Sequence, residues 1–429
     1  MGRTFFDQLR WRGLVHQTTF DDGISGWLEA GSRTVYAGFD PTADSLHVGH
    51  LVPLLTLRRF QQAGHRPIAV VGGATGMIGD PSGKSAERNL LTVEALAANV
   101  AALRRQMGAW LDFDRSPNAA LLVDNADWMR PFSYVDFLRI VGKNFPVNVM
   151  LAKESVRNRL ERSDSGLSYT EFSYMLLQAY DFVHLHRTYG CELQIGGSDQ
   201  WGNVTAGIDL ARRMDGVQLY GMTMPLLTKS DGTKMGKTEK GTLWLDPART
   251  SPYEFYQYWL RTADDDAGRC LRFLTEVEPE EIEALDAAQR ERAHERPSQK
   301  RLAEAMTELI HGADGLERAR RATSVLFGAE IDRLSDGELA EIFADVPSRD
   351  LPAERIGGDG LPVLDAFVEA GLCSSKSDAR RLLGQGGLYV SNRVLSESRG
   401  NLTSDDLASP TTMVLRSGKK KYALLRFVG

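Results

Sequence analysis

Apolar, β-branched runs alternate with stretches of helical spacing over the first 230 residues. The run Val35-Tyr36-Ala37-Gly38-Phe39 is followed by Leu51, Leu54, Leu55 and Phe60 at helical spacing up to Gly64, and then by Ile68-Ala69-Val70-Val71. Short apolar runs bounded by turn residues read as buried strands, and recurrence every three or four residues reads as one face of a helix. The pattern therefore predicts a β-loop-α-β unit. Further strands are expected at 120–123, 193–195 and 224–227, and helices at 93–107, 169–182 and 199–213. This alternation predicts an α/β fold, a Rossmann-like doubly wound parallel sheet whose ligands lie beyond the carboxyl ends of its strands.

Past Pro252 the strand signal fades and helical spacing takes over, at 253–260, 280–293, 298–310 and 316–326. Residues 346–360 have the Pro/Gly/polar make-up of a linker. The expected organisation is a sheet domain over 1–240, a helical domain over 241–345, and a small unit over 361–429. Charge sharpens that division. The whole chain carries a net charge of −6, but from Leu361 onward ten Lys and Arg face six Asp and Glu. The overall −6 argues against a chain whose main work is coating nucleic acid, but it hides a small basic unit following a large acidic body. No apolar run approaches the roughly 18 residues of a membrane helix, and the first residues hold no apolar signal core, so a cytoplasmic protein with no membrane partner is expected. Cys191, Cys270 and Cys373 are too few and too far apart for a disulfide framework or a zinc site.

Four segments carry candidate chemistry. The loop after the first strand contains His47-Val48-Gly49-His50 at a strand-to-helix turn, where two imidazoles and a helix N-terminus suit polyanionic phosphate. Lys229 to Thr238 follows the last strand and places Lys234 and Lys237 in a Gly-containing loop able to close over phosphate oxygens. Gly79-Asp80-Pro81-Ser82-Gly83-Lys84-Ser85 imitates a P-loop but has one residue too few between its glycines, which leaves Lys84 and Arg88 as cations for a departing phosphate. Tyr174, Gln178 and Asp181, spaced i, i+4 and i+7, share a helical face amid apolar neighbours, where buried polar groups call for a polar ligand. Asp264-Asp265-Asp266 reads as a helix-capping stretch, and His184 with His186 lacks further ligands at metal spacing.

Paired in this order on one sheet domain, His47-Val48-Gly49-His50 and Lys234-Met235-Gly236-Lys237-Thr238 resemble the two signatures of the class I aminoacyl-tRNA synthetases. Within that class, segments 36–43, 174–181 and 194–203 resemble the pocket of the bacterial tyrosyl-tRNA synthetases. Ser377-Asp378-Ala379-Arg380-Arg381-Leu382 with Gly386-Gly387-Leu388-Tyr389-Val390 resembles the small α+β S4-like RNA-binding domain of that family. Val48 stands where the family usually has Ile, and Gly236 and Thr238 replace two serines.

The resemblance implies activation of L-tyrosine by ATP to tyrosyl-adenylate and pyrophosphate, then transfer to the terminal ribose of tRNA(Tyr). It implies that Thr42, His47, His50, Lys84, Arg88, Lys234, Lys237 and Thr238 surround the phosphates. Gly38, Asp40, His47, His50, Gly197, Asp199 and Lys237 would bind ATP, with Mg2+ carried in by ATP and no metal held by a protein cage. Tyr36 and Asp181 would meet the tyrosine hydroxyl, Asp80, Tyr174 and Gln178 its ammonium group, and Gln200 its carboxylate. Lys376, Arg380 and Arg381 would contact tRNA phosphates. A segment at about 112–189, inserted between two strands, resembles the dimer-forming region, so a homodimer is expected. Tryptophanyl-tRNA synthetases share both signatures; Asp181 with Tyr36 and the S4-like tail favour tyrosine. A non-catalytic RNA-binding protein on the same scaffold would be marked by a lost signature residue, and a nucleotidyltransferase acting without tRNA would be expected to lack the basic tail.

Overall fold

The computed structural model describes residues 3–82, 91–153, 156–157, 160, 167–238, 241–326, 328–331, 334–344, 346–418 and 421–429. The chain forms two compact units, one of Met1–Thr250 with Arg261–Met306, the other of Ser251–Leu260 with Thr307–Gly429. The helices expected after Pro252 are thus shared between them.

The first unit is built on a six-stranded sheet. In chain order its strands are β1 (Gln17–Thr18), β2 (Thr34–Phe39), β3 (Arg66–Val71), β4 (Leu121–Asp124), β5 (Leu193–Gly197) and β6 (Tyr220–Met224), laid side by side as β1-β6-β5-β2-β3-β4. All neighbours are parallel except β1, which runs antiparallel to β6. β3 is buried after its first residue, as a strand covered on both faces must be, which is why it reads as an unbroken apolar run. The helix Val48–Gln62 connects β2 to β3 and buries Leu51, Leu54, Leu55 and Phe60. From β2 the chain moves outward to β3 and β4, then returns to lay β5 on the other side of β2. That reversal opens a crevice between the carboxyl ends of β2 and β5.

Two strands differ from their sequence expectation. β6 ends at Met224, so residues 225–227 lie beyond it. Pro225 has no N–H to give a ladder, and Tyr220–Met224 is recruited by pairing with β5 and β1 on either side. β1 is a two-residue edge strand with no apolar run to announce it. β4 belongs to the sheet, so the excursion between strands begins at Asn125, later than the expected 112. It contains short helices at Tyr134–Ile140 and Val147–Ala152 and the long Tyr169–Tyr189. The long helix starts under a Ser168 cap to the Glu171 N–H at 3.2 Å and stops on Gly190 at φ 66°. It runs seven residues past its expected end because Phe182, Val183 and Leu185 continue the buried face.

The second unit ends in a five-stranded sheet of residues 393–394, 388–390, 412–417, 421–428 and 348–352, in that order. Ser348–Pro352, inside the stretch expected to be a linker, pairs in parallel with the final strand from Ser348–Leu424 to Pro352–Val428. Its Pro/Gly-rich surroundings suggest coil, and only pairing with a strand some 75 residues later makes it regular. Helices Val363–Glu369 and Lys376–Gly384 cover one apolar cluster, including Phe367, Leu388, Leu415 and Leu425. A second cluster joins Val325, Leu339 and Phe343 to Val414, Tyr422 and Leu424. Among the described residues no helix is long and apolar enough to cross a membrane.

Candidate active site

The crevice between β2 and β5 holds a cavity of about 380 Å³. At its closed end lie Tyr36 from β2 and Asp181 from the helix Tyr169–Tyr189. Asp181 is almost fully buried, accepting from Trp128 Nε1 at 2.7 Å on one oxygen and from Asn125 Nδ2 at 3.1 Å on the other. Burial raises its carboxyl to about 7, although both hydrogen bonds favour the ionised form. Tyr36 is buried and its hydroxyl has no hydrogen-bond partner among the described residues. Burial, and then Asp181, hold its phenol well above its ordinary range, so it keeps its proton. A neutral phenol without a partner beside a doubly bonded carboxylate marks a place for one more hydroxyl.

Two polar chains climb from there. In one, the Tyr174 hydroxyl donates to Asp40 at 3.0 Å, Thr75 donates to the other Asp40 oxygen at 2.9 Å, and Asn125 donates to Thr75 at 3.0 Å. Gly72 makes this possible, because a Cβ there would lie 2.4 Å from both Asp40 Oδ1 and Thr75 Oγ1. In the other, Gln200 donates to Asp80 at 2.6 Å, Gln178 donates to Gln200 at 3.2 Å, and Asn203 donates to both amide oxygens. Asp80 also accepts from the Ser82 N–H at 2.9 Å. The face of Tyr174, Gln178 and Asp181 expected from helical spacing therefore lines the cavity wall.

The mouth is formed by the start of the helix Val48–Gln62. His47 is its N-cap: Nδ1 accepts from the Gly49 N–H at 3.0 Å, while the His47 N–H donates to His50 Nδ1 at 3.1 Å. With Nδ1 used as acceptor, each neutral ring carries its proton on Nε2. The rings stack with centroids 3.9 Å apart. Burial lowers the His47 pKa, and Lys234 and Lys237 lower it further, so the neutral donor tautomer is favoured. Gly38, Thr42, Gly197 and Asp199 also line the cavity. The Asp199 carboxyl is raised by burial and by Asp80, with Lys234 acting in the opposite direction.

Lys234 and Lys237 are exposed and stand outside the cavity lining. Between them Met235 is buried and Gly236 adopts φ 84°, its Cβ position 3.2 Å from Val48 Cβ. The following segment is tied back to the histidine turn through Val48 N–H to Leu243 O at 3.2 Å and Leu245 N–H to Leu46 O at 2.9 Å. The two signatures are therefore physically joined. Lys84 and Arg88 lie outside the described residues, as does the side chain of Thr238. In the second unit, Lys376, Arg380 and Arg381 are exposed on one short helix, with Lys376 paired to Asp365 and Arg381 to Asp378.

Residues 29–328 match the family model of class I tRNA synthetases (W and Y). The chain belongs to that family. Residues 338–425 match the tyrosine–tRNA ligase SYY-like C-terminal domain. A tyrosine–tRNA ligase of Rhodopirellula baltica is 58% identical over 423 residues, covering 99% of this chain and 96% of that protein. One from Geobacillus stearothermophilus is 51% identical over 98% of this chain and 99% of its own length. Among solved structures, a C-terminally truncated mitochondrial tyrosyl-tRNA synthetase of Aspergillus nidulans superposes with a TM-score of 0.69 at 30% identity, over 76% of this chain and 95% of its own. A tryptophanyl-tRNA synthetase of Encephalitozoon cuniculi bound to tryptophan shares the fold, with a TM-score of 0.54 at 15% identity over 78% and 90%.

Membership in the family gives the cavity its frame. Asn125, Trp128 and Thr75 were missed by sequence reasoning, because each meets its partner only across the fold, while Asn203 fell in the pocket-like segment 194–203 without a role of its own. A buried Asn at the end of β4 carries no periodic signal. Trp128 could have been suspected as an aromatic donor on a short helix, but nothing in the sequence pairs it with Asp181, 53 residues later.

Proposed function

We infer that the chain is a tyrosine–tRNA ligase, joining L-tyrosine to ATP as tyrosyl-adenylate with release of pyrophosphate, then transferring tyrosine to the terminal ribose of tRNA(Tyr). The observation that carries the specificity is the closed end of the cavity. A tyrosine hydroxyl there donates to Asp181 and completes the unpartnered Tyr36 hydroxyl. Phenylalanine leaves both polar groups stranded in a dry site, the means of rejection known for this enzyme family. The amino acid's ammonium group falls to Asp80, Tyr174 and Gln178, and its carboxylate to Gln200. Because Tyr174 spends its proton on Asp40, its oxygen is left to accept.

The attacking carboxylate is ionised at neutral pH and needs no general base. Catalysis then reduces to aligning it with the α-phosphate and stabilising charge on the departing pyrophosphate. His47 and His50 donate from Nε2, Thr42 adds a hydroxyl, and Gly38, Asp40, Gly197 and Asp199 line the adenosine. Lys234 and Lys237 approach from the loop as charge develops, with Thr238, Lys84 and Arg88 completing the cluster by family resemblance. Mg2+ arrives on the phosphates of ATP. The basic C-terminal unit holds tRNA phosphates through Arg380 and its neighbours, and the tRNA substrate sets the compartment, the cytoplasm. The chain acts as a homodimer through the excursion after β4. There the helix Tyr134–Ile140 buries none of its residues, and Tyr134, Val135, Val147 and Tyr169 are each 60–70% exposed.

Tyrosine-, tryptophan- and phenylalanine-dependent ATP/pyrophosphate exchange, measured side by side without tRNA, tests the reading. Exchange with tyrosine alone is expected. Exchange driven by tryptophan would overturn the role of Tyr36 and Asp181, and no exchange with any amino acid would overturn the activity.

A further inference from the structure

The loop that bears Lys234 and Lys237 is gripped from below by the helix Asp264–Leu274, and the grip has three points. Arg269 donates to the Thr228 carbonyl at the neck of the loop, where Thr228 bridges to Lys234. Cys270 Sγ meets Met235 Sδ at 3.4 Å inside the core. The Ser230 hydroxyl reaches the buried Asp266 at 3.5 Å, and Asp266 in turn holds Arg269 at 2.9 Å. Asp266, Arg269 and Cys270 fall at i, i+3 and i+4, so one helical face carries all three.

The other end of this helix is also fixed. Arg59, the last basic residue of the helix that opens with the histidine turn, donates to the carbonyls of Phe273 at 3.1 Å and Thr275 at 2.9 Å. Arg12 donates to those of Arg272, Thr275 and Val277. Both are among the buried arginines of the first unit, and burial lowers both pKa values, that of Arg59 to about 10. A guanidinium buried against carbonyls at a helix C-terminus satisfies acceptors that the helix cannot, and opposes its dipole. The histidine helix thus grips one end of a rod whose other end grips the lysine loop.

We propose that the helix Asp264–Leu274 sets the distance between the two signature segments, with Arg59, Arg269 and Cys270 as positioning residues for Lys234 and Lys237. The inference rests on the activity proposed above. None of the three lines the cavity, so their effect should appear in steps that need the lysines, while tyrosine binding stays intact. Displacing a loop by about 1 Å can slow a positioned reaction on the order of 100-fold.

The test uses the full-length protein and five variants: Arg269→Ala, Arg269→Lys, Cys270→Ala, Lys237→Ala, and Arg269→Ala combined with Lys237→Ala. Tyrosine affinity is measured by equilibrium dialysis and adenylate formation by single-turnover kinetics at saturating ATP. Arg269→Ala and Cys270→Ala are expected to slow adenylate formation about 10- to 100-fold, with tyrosine affinity unchanged within about twofold, and Arg269→Lys to recover part of the rate. Because Arg269 acts through Lys234 and Lys237, the double variant should lose less than the two single losses combined. Fully additive losses would overturn the proposal, as would a parallel loss of tyrosine affinity or an unchanged rate. A wild-type protein that forms no adenylate would instead overturn the proposed activity, so the two failures are distinguishable.

Discussion

In the proposed function, Asp181 concentrates the chemistry of specificity into one carboxylate. Both its oxygens accept from N–H donors, so Asp181→Asn turns an NH2 toward either Asn125 or Trp128 and leaves donors facing each other. That loss should weaken tyrosine binding by about 1.5–3 kcal/mol, visible as a raised tyrosine KM with the KM for ATP nearly unchanged. The same residue shapes stability. Unfolded, it titrates near the ordinary 3.8, and folded near 7, so between these values the folded chain holds a proton that the unfolded chain has released. Its contribution to stability is complete below about pH 4 and is lost as pH rises to about 7, at up to about 1.4 kcal/mol per pH unit. Thermal melts over pH 4–8 should show this slope in the wild type and not in Asp181→Asn; equal slopes would contradict it. His47 works in the opposite direction. Its lowered pKa means that the unfolded chain takes up a proton near 6.5 before the folded chain does, so its contribution is present above 6.5 and lost as pH falls.

At the scale of elements, the lysine loop depends on a backbone conformation that its sequence only hints at. Gly236 sits at φ 84°, which L residues adopt at a cost of roughly 1–2 kcal/mol, and any Cβ there presses on Val48. Gly236→Ala should therefore slow adenylate formation and lower the melting temperature, while tyrosine affinity is kept; an unaltered rate and melting point would show that the loop relaxes freely. Legibility followed physics at this scale too. The strands with continuous apolar runs, β2 and β3, and the helix Val93–Met107 with its regular buried face, are plain in the sequence. β6 and Ser348–Pro352 are not, because each owes its regularity to partners far along the chain.

At the scale of the whole molecule, the excursion after β4 presents an apolar face that stays exposed among the described residues. A charge placed there, in Val135→Asp, should shift sedimentation from dimer to monomer, and a variant that stays dimeric would remove this face from the interface. The C-terminal unit yields a different expectation from the one its basic composition suggests. A cut at Leu361 takes away Val414, Tyr422 and Leu424, the partners of Val325, Leu339 and Phe343. Each large side chain so exposed costs about 1.5–3 kcal/mol. Deleting 361–429 should therefore lose tRNA charging while keeping tyrosine-dependent pyrophosphate exchange, and the remnant of the second unit should become protease-sensitive. Charging retained by the truncated chain would refute the role of the basic unit.

The sequence by itself determined the α/β character, the two signature turns, the polar face of Tyr174, Gln178 and Asp181, and the basic C-terminal region. All of these rest on spacing along a few residues, which local periodicity and turn chemistry impose wherever the chain goes. Only the tertiary structure decided that Trp128 and Asn125 hold Asp181, that Gly72 clears room for Asp40 and Thr75, and that Arg59 and Arg269 grip the two ends of one helix. Those pairings join positions 35 to 216 residues apart. Nothing local marks them, because a hydrogen bond across the fold is specified by where the sheet and its helices bring the backbone, not by the residues on either side of it.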